Sequence, residues 1–373
     1  MRLGLLFLML WAFLADAQVE IIVSKLPKDT LAGTRLFMAS SLNNWDPKDE
    51  NFELKKDKSG RYSLVIETPT KDFEYKFTRG SWETVEGDTE GNALQNRILT
   101  PNNQKEIDHQ ISSWQKLTTR KNTTSPNVKL LAENFHIPQL NTTRKIWIYP
   151  PPDYESSSKD YPVIYMHDAQ NLFNDETSFS GEWKVDETLD EFFKAGKQTS
   201  IIVGIENGGT ERLNEYSPWK NPKHGGGKGD QYADFIALTL KPFIDKNYRT
   251  ETSANSTSIG GSSMGGLISF YTALKYPQIF GNALVFSPSF WFAKEEVFNF
   301  VENHQHLKNL KFYFLMGKKE SREMVNDVLK MHALLKTKGI SDQNIEIKID
   351  EDGTHSESYW AREFPRAYLW LVH

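Results

Sequence analysis

The chain has 373 residues, of which 38% are hydrophobic, 13% aromatic and 25% charged, with a formal net charge of −5. That balance describes a globular protein, excludes disordered and collagen-like classes, and gives no basic field for nucleic acid. Cysteine is absent, which excludes disulfides and thiolate metal sites and leaves stability to core packing.

The first residues, MRLGLLFLMLWAFLADAQ, hold one Arg, an apolar run from Leu3 to Leu14 and small residues at Ala15 and Ala17. Residues 1–17 therefore read as a signal peptide, and the run is well short of the roughly 20 residues that span a bilayer. A secreted or periplasmic chain beginning near Gln18 is the expectation. Residues 18–115 carry short alternating runs, Glu20 to Ser24, Thr34 to Ala39, Tyr62 to Glu67 and Phe73 to Thr78, between clusters of Asn, Asp, Pro and Gly. This spacing predicts a small all-β sandwich. Residues 116–130, which open KLTTRKNTTSPNV, read as a polar linker. From 131 to 373 apolar runs alternate with helical patterns: Lys145 to Tyr149, Val163 to His167, Ser200 to Ile205, Thr257 to Gly260, Asn282 to Ser287 and Lys311 to Met316. Strands alternating with helices predict a mostly parallel sheet covered on both faces, an α/β architecture. Asp234 to Asp245 and Met324 to Lys338 have the three- and four-residue spacing of helices.

Gly261-Ser262-Ser263-Met264-Gly265 fits G-x-S-x-G between a β-like and a helical run. A turn tight enough to expose the serine hydroxyl demands small residues on either side, which makes Ser263 the candidate nucleophile. A serine needs a base, and the base an orienting acid, in the order Ser, acid, His. His355 follows the strand-like Asn344 to Asp350 and is the candidate base, whereas His304, His306, His332 and His373 read as surface histidines. Glu320, just past the run Lys311 to Met316, is the candidate acid; Asp327 is the alternative, deeper in a helical stretch and expected on its solvated face. N–H donors for an oxyanion would come from Met264 and from Gln170 in the loop after Val163 to His167, where His167 has a structural role. Glycine-rich Asn221 to Asp230 reads as a mobile loop beside the site. This chemistry requires no metal or other cofactor.

The segments YPVIYMHDAQNLF (161–173), IIVGIENGGTERLNEYSP (201–218), IGGSSMGG (259–266), VFSPSFW (285–291) and GTHSESYW (353–360) together resemble the putative-esterase family of α/β-hydrolases. That family includes feruloyl, acetyl xylan, enterochelin and esterase D-like enzymes. The resemblance covers roughly Asn141 to His373 and implies Ser263, Glu320 and His355 as a triad, with Glu where the family often has Asp. LFMASSLNNWDP (36–47), FEYKFTRGSWETVE (73–86) and Asn96-Arg97 resemble starch- and glycogen-binding modules. By that resemblance Trp45, Lys76, Trp82 and Asn96 would meet a glycan, aromatic faces stacking on sugar rings. The same two tryptophans could instead be core, and the whole could be a glycan binder on an inactive hydrolase scaffold. The expected partners are thus an ester substrate and a polysaccharide, without nucleic acid or membrane; carbohydrate, siderophore and short-chain esters all remain open.

Overall fold

The computed structural model describes residues 18–372 except 44, 90, 92–93, 95, 101–103, 116–119, 179 and 305–306. The signal-peptide reading of 1–17, and His306 and His373, lie outside the described residues. The chain divides into two compact units, Met1–Thr118 and Thr119–His373.

In the first unit, strands β1 (Gln18–Lys25), β2 (Leu36–Ser40), β3 (Glu53–Lys56), β4 (Tyr62–Glu67), β5 (Phe73–Thr78), β7 (Arg97–Leu99) and β8 (Glu106–Gln110) form one ladder, ordered β7-β5-β2-β3-β4-β1-β8. Two-residue strands β6 (Glu86–Gly87) and β9 (Ser113–Trp114) pair separately. Side chains alternate in and out, as in β5, where Phe73, Tyr75 and Phe77 are buried while Glu74 and Lys76 are half-exposed. The buried set meets Val19, Ile21, Leu36, Met38 and Leu54 in a single core, so both halves of the ladder enclose the same interior.

The second unit is built on an eight-stranded sheet: β10 (Lys129–Ile137), β11 (Thr142–Tyr149), β12 (Val163–His167), β13 (Ile201–Ile205), β16 (Thr257–Ser262), β17 (Asn282–Phe286), β18 (Lys311–Gly317) and β19 (Ile345–Asp350). The order is β10-β11-β13-β12-β16-β17-β18-β19, and all strands run parallel except β11. β12, β13, β16 and β17 are buried at every residue, because helices cover both faces. Val163, Tyr165, Ala283, Val285, Phe312 and Phe314 face one core, while Ile164, Met166, Leu284, Phe286, Tyr313 and Leu315 face the other. The helices are α1 (Val185–Lys194), α2 (Arg212–Glu215), α3 (Gly229–Phe235), α4 (Lys241–Asn247), α5 (Met264–Lys275), α6 (Lys294–Glu302), α7 (Arg322–Thr337) and α8 (Glu357–Val372). A π-helical turn, Ile236–Leu240, joins α3 to α4, so the helix expected over 234–245 is a longer, interrupted one.

Two expectations are corrected here. The supposed linker is largely part of the second unit: β10 begins at Lys129, and the N–H of Ser125 donates to Asp186 Oδ2 at 2.7 Å while its hydroxyl donates to Asp190 Oδ2 at 2.6 Å. β10 is an edge strand exposed along much of its length, so its sequence lacks the apolar alternation that reveals a strand. The glycine-rich segment is no loose loop: β14 (Lys220–Asn221) pairs with β15 (Gly225–Gly226), and Asn221 Nδ2 donates to the carbonyl of Phe292 at 2.7 Å.

Candidate active site

Three side chains nominated from the sequence stand at the carboxyl ends of parallel strands of one sheet. Ser263 follows β16, Glu320 follows β18 and His355 follows β19.

Ser263 sits between β16 and α5 at φ 58 and ψ −122, a conformation costing a non-glycine residue roughly 1–3 kcal/mol. Its N–H donates to Phe286 O at 2.9 Å and its carbonyl accepts from Leu267 and Ser289 N–H, both at 3.1 Å, so neighbours on both sides hold the strained turn. Its hydroxyl shares a hydrogen bond with Ser289 Oγ at 3.2 Å. A Cβ on Gly266 would come within 2.9 Å of Phe286 O, which is why the helix can start so close to the sheet only with glycine there.

Glu320 is buried, and its two oxygens have separate tasks. Oε1 accepts from Ser287 Oγ at 2.6 Å and from Gly317 N–H at 2.9 Å. Oε2 lies 2.7 Å from His355 Nδ1. A carboxylate only accepts, so Nδ1 carries the hydrogen and Nε2 is left with a lone pair for a hydroxyl proton. Ser287 in turn accepts from Trp360 Nε1 at 2.9 Å, and Trp360 meets the His355 ring edge-on at 5.0 Å. No sequence pattern marks Ser287 or Trp360 as part of the site; a serine in a left-handed conformation at a strand end is the signal, visible only once φ is known (43°). The turn of Glu320 and the loop of His355 touch through glycines: a Cβ on Gly317 would fall 2.2 Å from Gly353 C.

The alternative acid is placed elsewhere. Asp327 is buried rather than solvated, and pairs with Lys294 Nζ at 2.7 Å. It is a charge held inside a helix packing face by one partner, which helical periodicity alone reads as a surface position.

Met264 is the first residue of α5 and Gln170 lies in the 3-10 turn Ala169–Asn171 after β12, so neither N–H has an acceptor within its own helix. Asp168, left-handed at φ 57, opens that 3-10 turn. Arg212 grips Asp168 with both arms, Nε to Oδ1 at 2.7 Å and Nη2 to Oδ2 at 2.9 Å, and Asn207 Nδ2 adds a bond at 2.7 Å. Arg212 thereby lowers the pKa of Asp168 against the upward push of burial. His167 is buried behind the turn against Tyr232 Oη at 3.1 Å, and burial lowers its pKa to about 4, so it is neutral and structural.

In the first unit Trp45 and Trp82, both half-buried, have ring centroids 6.3 Å apart at 39°. Neither is a core residue. Asn96 Nδ2 donates to Glu74 Oε2 at 2.6 Å, and Lys76 lies on the same outward side of β5 as Glu74.

A strained serine turn on an eight-stranded, mostly parallel sheet, with a histidine and a buried acid on later strands, defines the α/β-hydrolase class. Sequence comparison places the molecule further: the family described as "Putative esterase" matches residues 137–371, and the chain belongs to that family of ester hydrolases. Protein YjcH of Bacillus subtilis is 31% identical over 238 residues, covering 61% of this chain and 91% of that protein. A 76-residue stretch, 20% of this chain, is 37% identical to 6% of an alpha-amylase of Niallia circulans. Among solved structures, the enterobactin esterase of Shigella flexneri superposes with a TM-score of 0.57 at 13% identity, covering 90% of this chain and 87% of that one; this likeness is one of fold.

Proposed function

We propose that the protein is a secreted serine esterase that cleaves carboxylic esters, borne by a saccharide or a small molecule, through an acyl-enzyme on Ser263. The carrying observation is the 2.7 Å contact of Glu320 Oε2 with His355 Nδ1, at the same carboxyl end of the sheet as a half-buried serine held in a strained turn. Ser263 Oγ attacks the ester carbonyl while His355 Nε2 takes its proton, and Glu320 stabilises the imidazolium. The tetrahedral oxyanion is received by the N–H groups of Met264 and Gln170. His355 then returns the proton to the departing alcohol, and a water activated by the same nitrogen releases the acid and restores Ser263.

The test is turnover of p-nitrophenyl acetate together with fluorophosphonate labelling. Wild type should turn over and be labelled at Ser263; Ser263→Ala should lose about 10⁴-fold or more in kcat with its melting temperature nearly unchanged. No turnover and no label in the folded wild type would instead favour an inactive scaffold. A screen of acylated saccharides, siderophore esters and short-chain esters then ranks substrates by kcat/KM.

The paired, half-buried Trp45 and Trp82 favour a second activity, glycan binding by the first unit, with Lys76 and Asn96 as polar neighbours.

A further inference from the structure

The segment leading into α1 carries three carboxylates that ester hydrolysis does not use. Glu182, Asp186 and Glu187 each offer an oxygen, and these oxygens lie within 4.8 Å of one another. Glu182 is 7% exposed and Asp186 fully buried. In two of them the protein already holds one oxygen: Glu182 Oε1 accepts from Thr123 Oγ1 at 2.8 Å, and Asp186 Oδ2 from Ser125 N–H at 2.7 Å. The other oxygens, Glu182 Oε2 and Asp186 Oδ1, and with them Glu187 Oε2, are buried without any hydrogen-bond partner. Lys184 is a lysine whose charge bears on Glu182, yet Glu182 Oε2 takes no hydrogen bond from it.

Ionised carboxylates in this position need either protons or a cation, because burial without counter-charge is strongly unfavourable. Burial, then the adjoining Glu187 carboxyl, push Asp186 up to about 8, and burial pushes Glu182 up to about 7. The geometry favours a cation. One oxygen fixed by an outer hydrogen bond and its twin left free is how a protein orients metal ligands. All available donors are hard oxygens, and their spread does not exceed the span of two oxygens across one Ca²⁺ at about 2.3–2.6 Å each.

We propose that Glu182, Asp186 and Glu187 bind one calcium-sized divalent cation, with water completing its shell. The site would act as a clip. Thr123, whose hydroxyl also accepts from Asp175 N–H at 2.8 Å, ties the entering segment to the loop between β12 and α1, the loop that begins with Gln170 and its neighbours. It stands independently of the serine mechanism, since none of these residues is assigned a catalytic role.

The test uses the full chain stripped with EDTA at pH 7.5, with CaCl₂ and TbCl₃ as probes. Calorimetry should find one Ca²⁺ per chain, and a saturating concentration should raise the melting temperature by about 5 °C or more. Terbium should luminesce on excitation of tryptophan, since Trp183 adjoins Glu182 in the chain, and excess Ca²⁺ should extinguish the signal. Glu187→Gln, at the least buried position, should fold normally and weaken Ca²⁺ at least tenfold; Asp186→Asn should abolish binding. If Ca²⁺ neither stabilises the wild type nor displaces terbium, the carboxyls are neutralised by protons alone and the proposal fails. It fails equally if the calcium effect persists unchanged in Glu187→Gln, which keeps the test decisive should Asp186→Asn not fold.

Discussion

Replacing Glu320 by Gln tests the acid with almost no change of shape, and the surrounding donors dictate how the amide must sit. Gly317 N–H, a fixed donor at 2.9 Å, and Ser287 Oγ at 2.6 Å both address Oε1. The amide oxygen is therefore held there, and the NH₂ group is turned towards His355 Nδ1, where the carboxylate oxygen stood at 2.7 Å. Two donors cannot face each other, so Nδ1 must become the acceptor and the ring hydrogen moves to Nε2. In that tautomer Nε2 cannot take the proton of Ser263. Loss of the correct tautomer and of imidazolium stabilisation should lower kcat by about 10²- to 10⁴-fold, or about 3–5 kcal/mol of transition-state stabilisation. KM should change little, because the amide touches no substrate. Stopped assays with p-nitrophenyl acetate, alongside thermal unfolding, give both quantities. Asp327→Asn is the control: it loosens the pair with Lys294 and should cost about 1–2 kcal/mol of stability while leaving kcat intact. A Glu320→Gln enzyme with more than a third of wild-type kcat, or an Asp327→Asn enzyme with the larger loss, would refute the assignment of the acid.

Three further outcomes are expected. Ser287→Ala strands the buried Trp360 Nε1 and removes one donor from Glu320, so chemical denaturation should show a loss of about 2–4 kcal/mol, and kcat should fall while KM holds; unchanged stability would mean the Trp360–Ser287–Glu320 chain is incidental. Arg212→Gln removes the two-armed grip on Asp168 and should cost about 2–3 kcal/mol and lower kcat about tenfold, by freeing the turn that aims Gln170; a change confined to KM would assign Arg212 to substrate binding instead. Trp45→Ala with Trp82→Ala should weaken binding of a soluble α-glucan by about 1–3 kcal/mol per lost stack, a figure taken by analogy from base stacking, without altering small-ester turnover. An α-glucan titration that is flat for the folded wild type would end the glycan reading, and unfolding of the double variant would mark the tryptophans as structural.

Local sequence was sufficient for the parts of this molecule that local physics controls. Runs such as Ile201–Ile205 and Ala283–Phe286 are apolar at consecutive positions because both faces of a parallel sheet are covered, and that is legible without any partner in view. The G-x-S-x-G turn is legible too, since the demand for glycine arises within a few residues. An edge strand such as β10 is half solvated, so its residues carry no clear period and it is not legible as a strand. Asp327 shows the reverse: a charged helical residue reads as solvated until the structure supplies Lys294 and buries it. Sequence could nominate Glu320 and His355, 35 residues apart, but only the register of β18 with β19, Gly317 opposite Asp350, and the contact of Gly317 with Gly353 set their carboxylate and ring face to face. The same holds for Ser287, Trp360 and the acid cluster of Glu182, Asp186 and Glu187. Their significance lies in which buried polar atoms meet and which are left without partners, and hydrogen bonding across long loops is decided by packing rather than by any spacing along the chain.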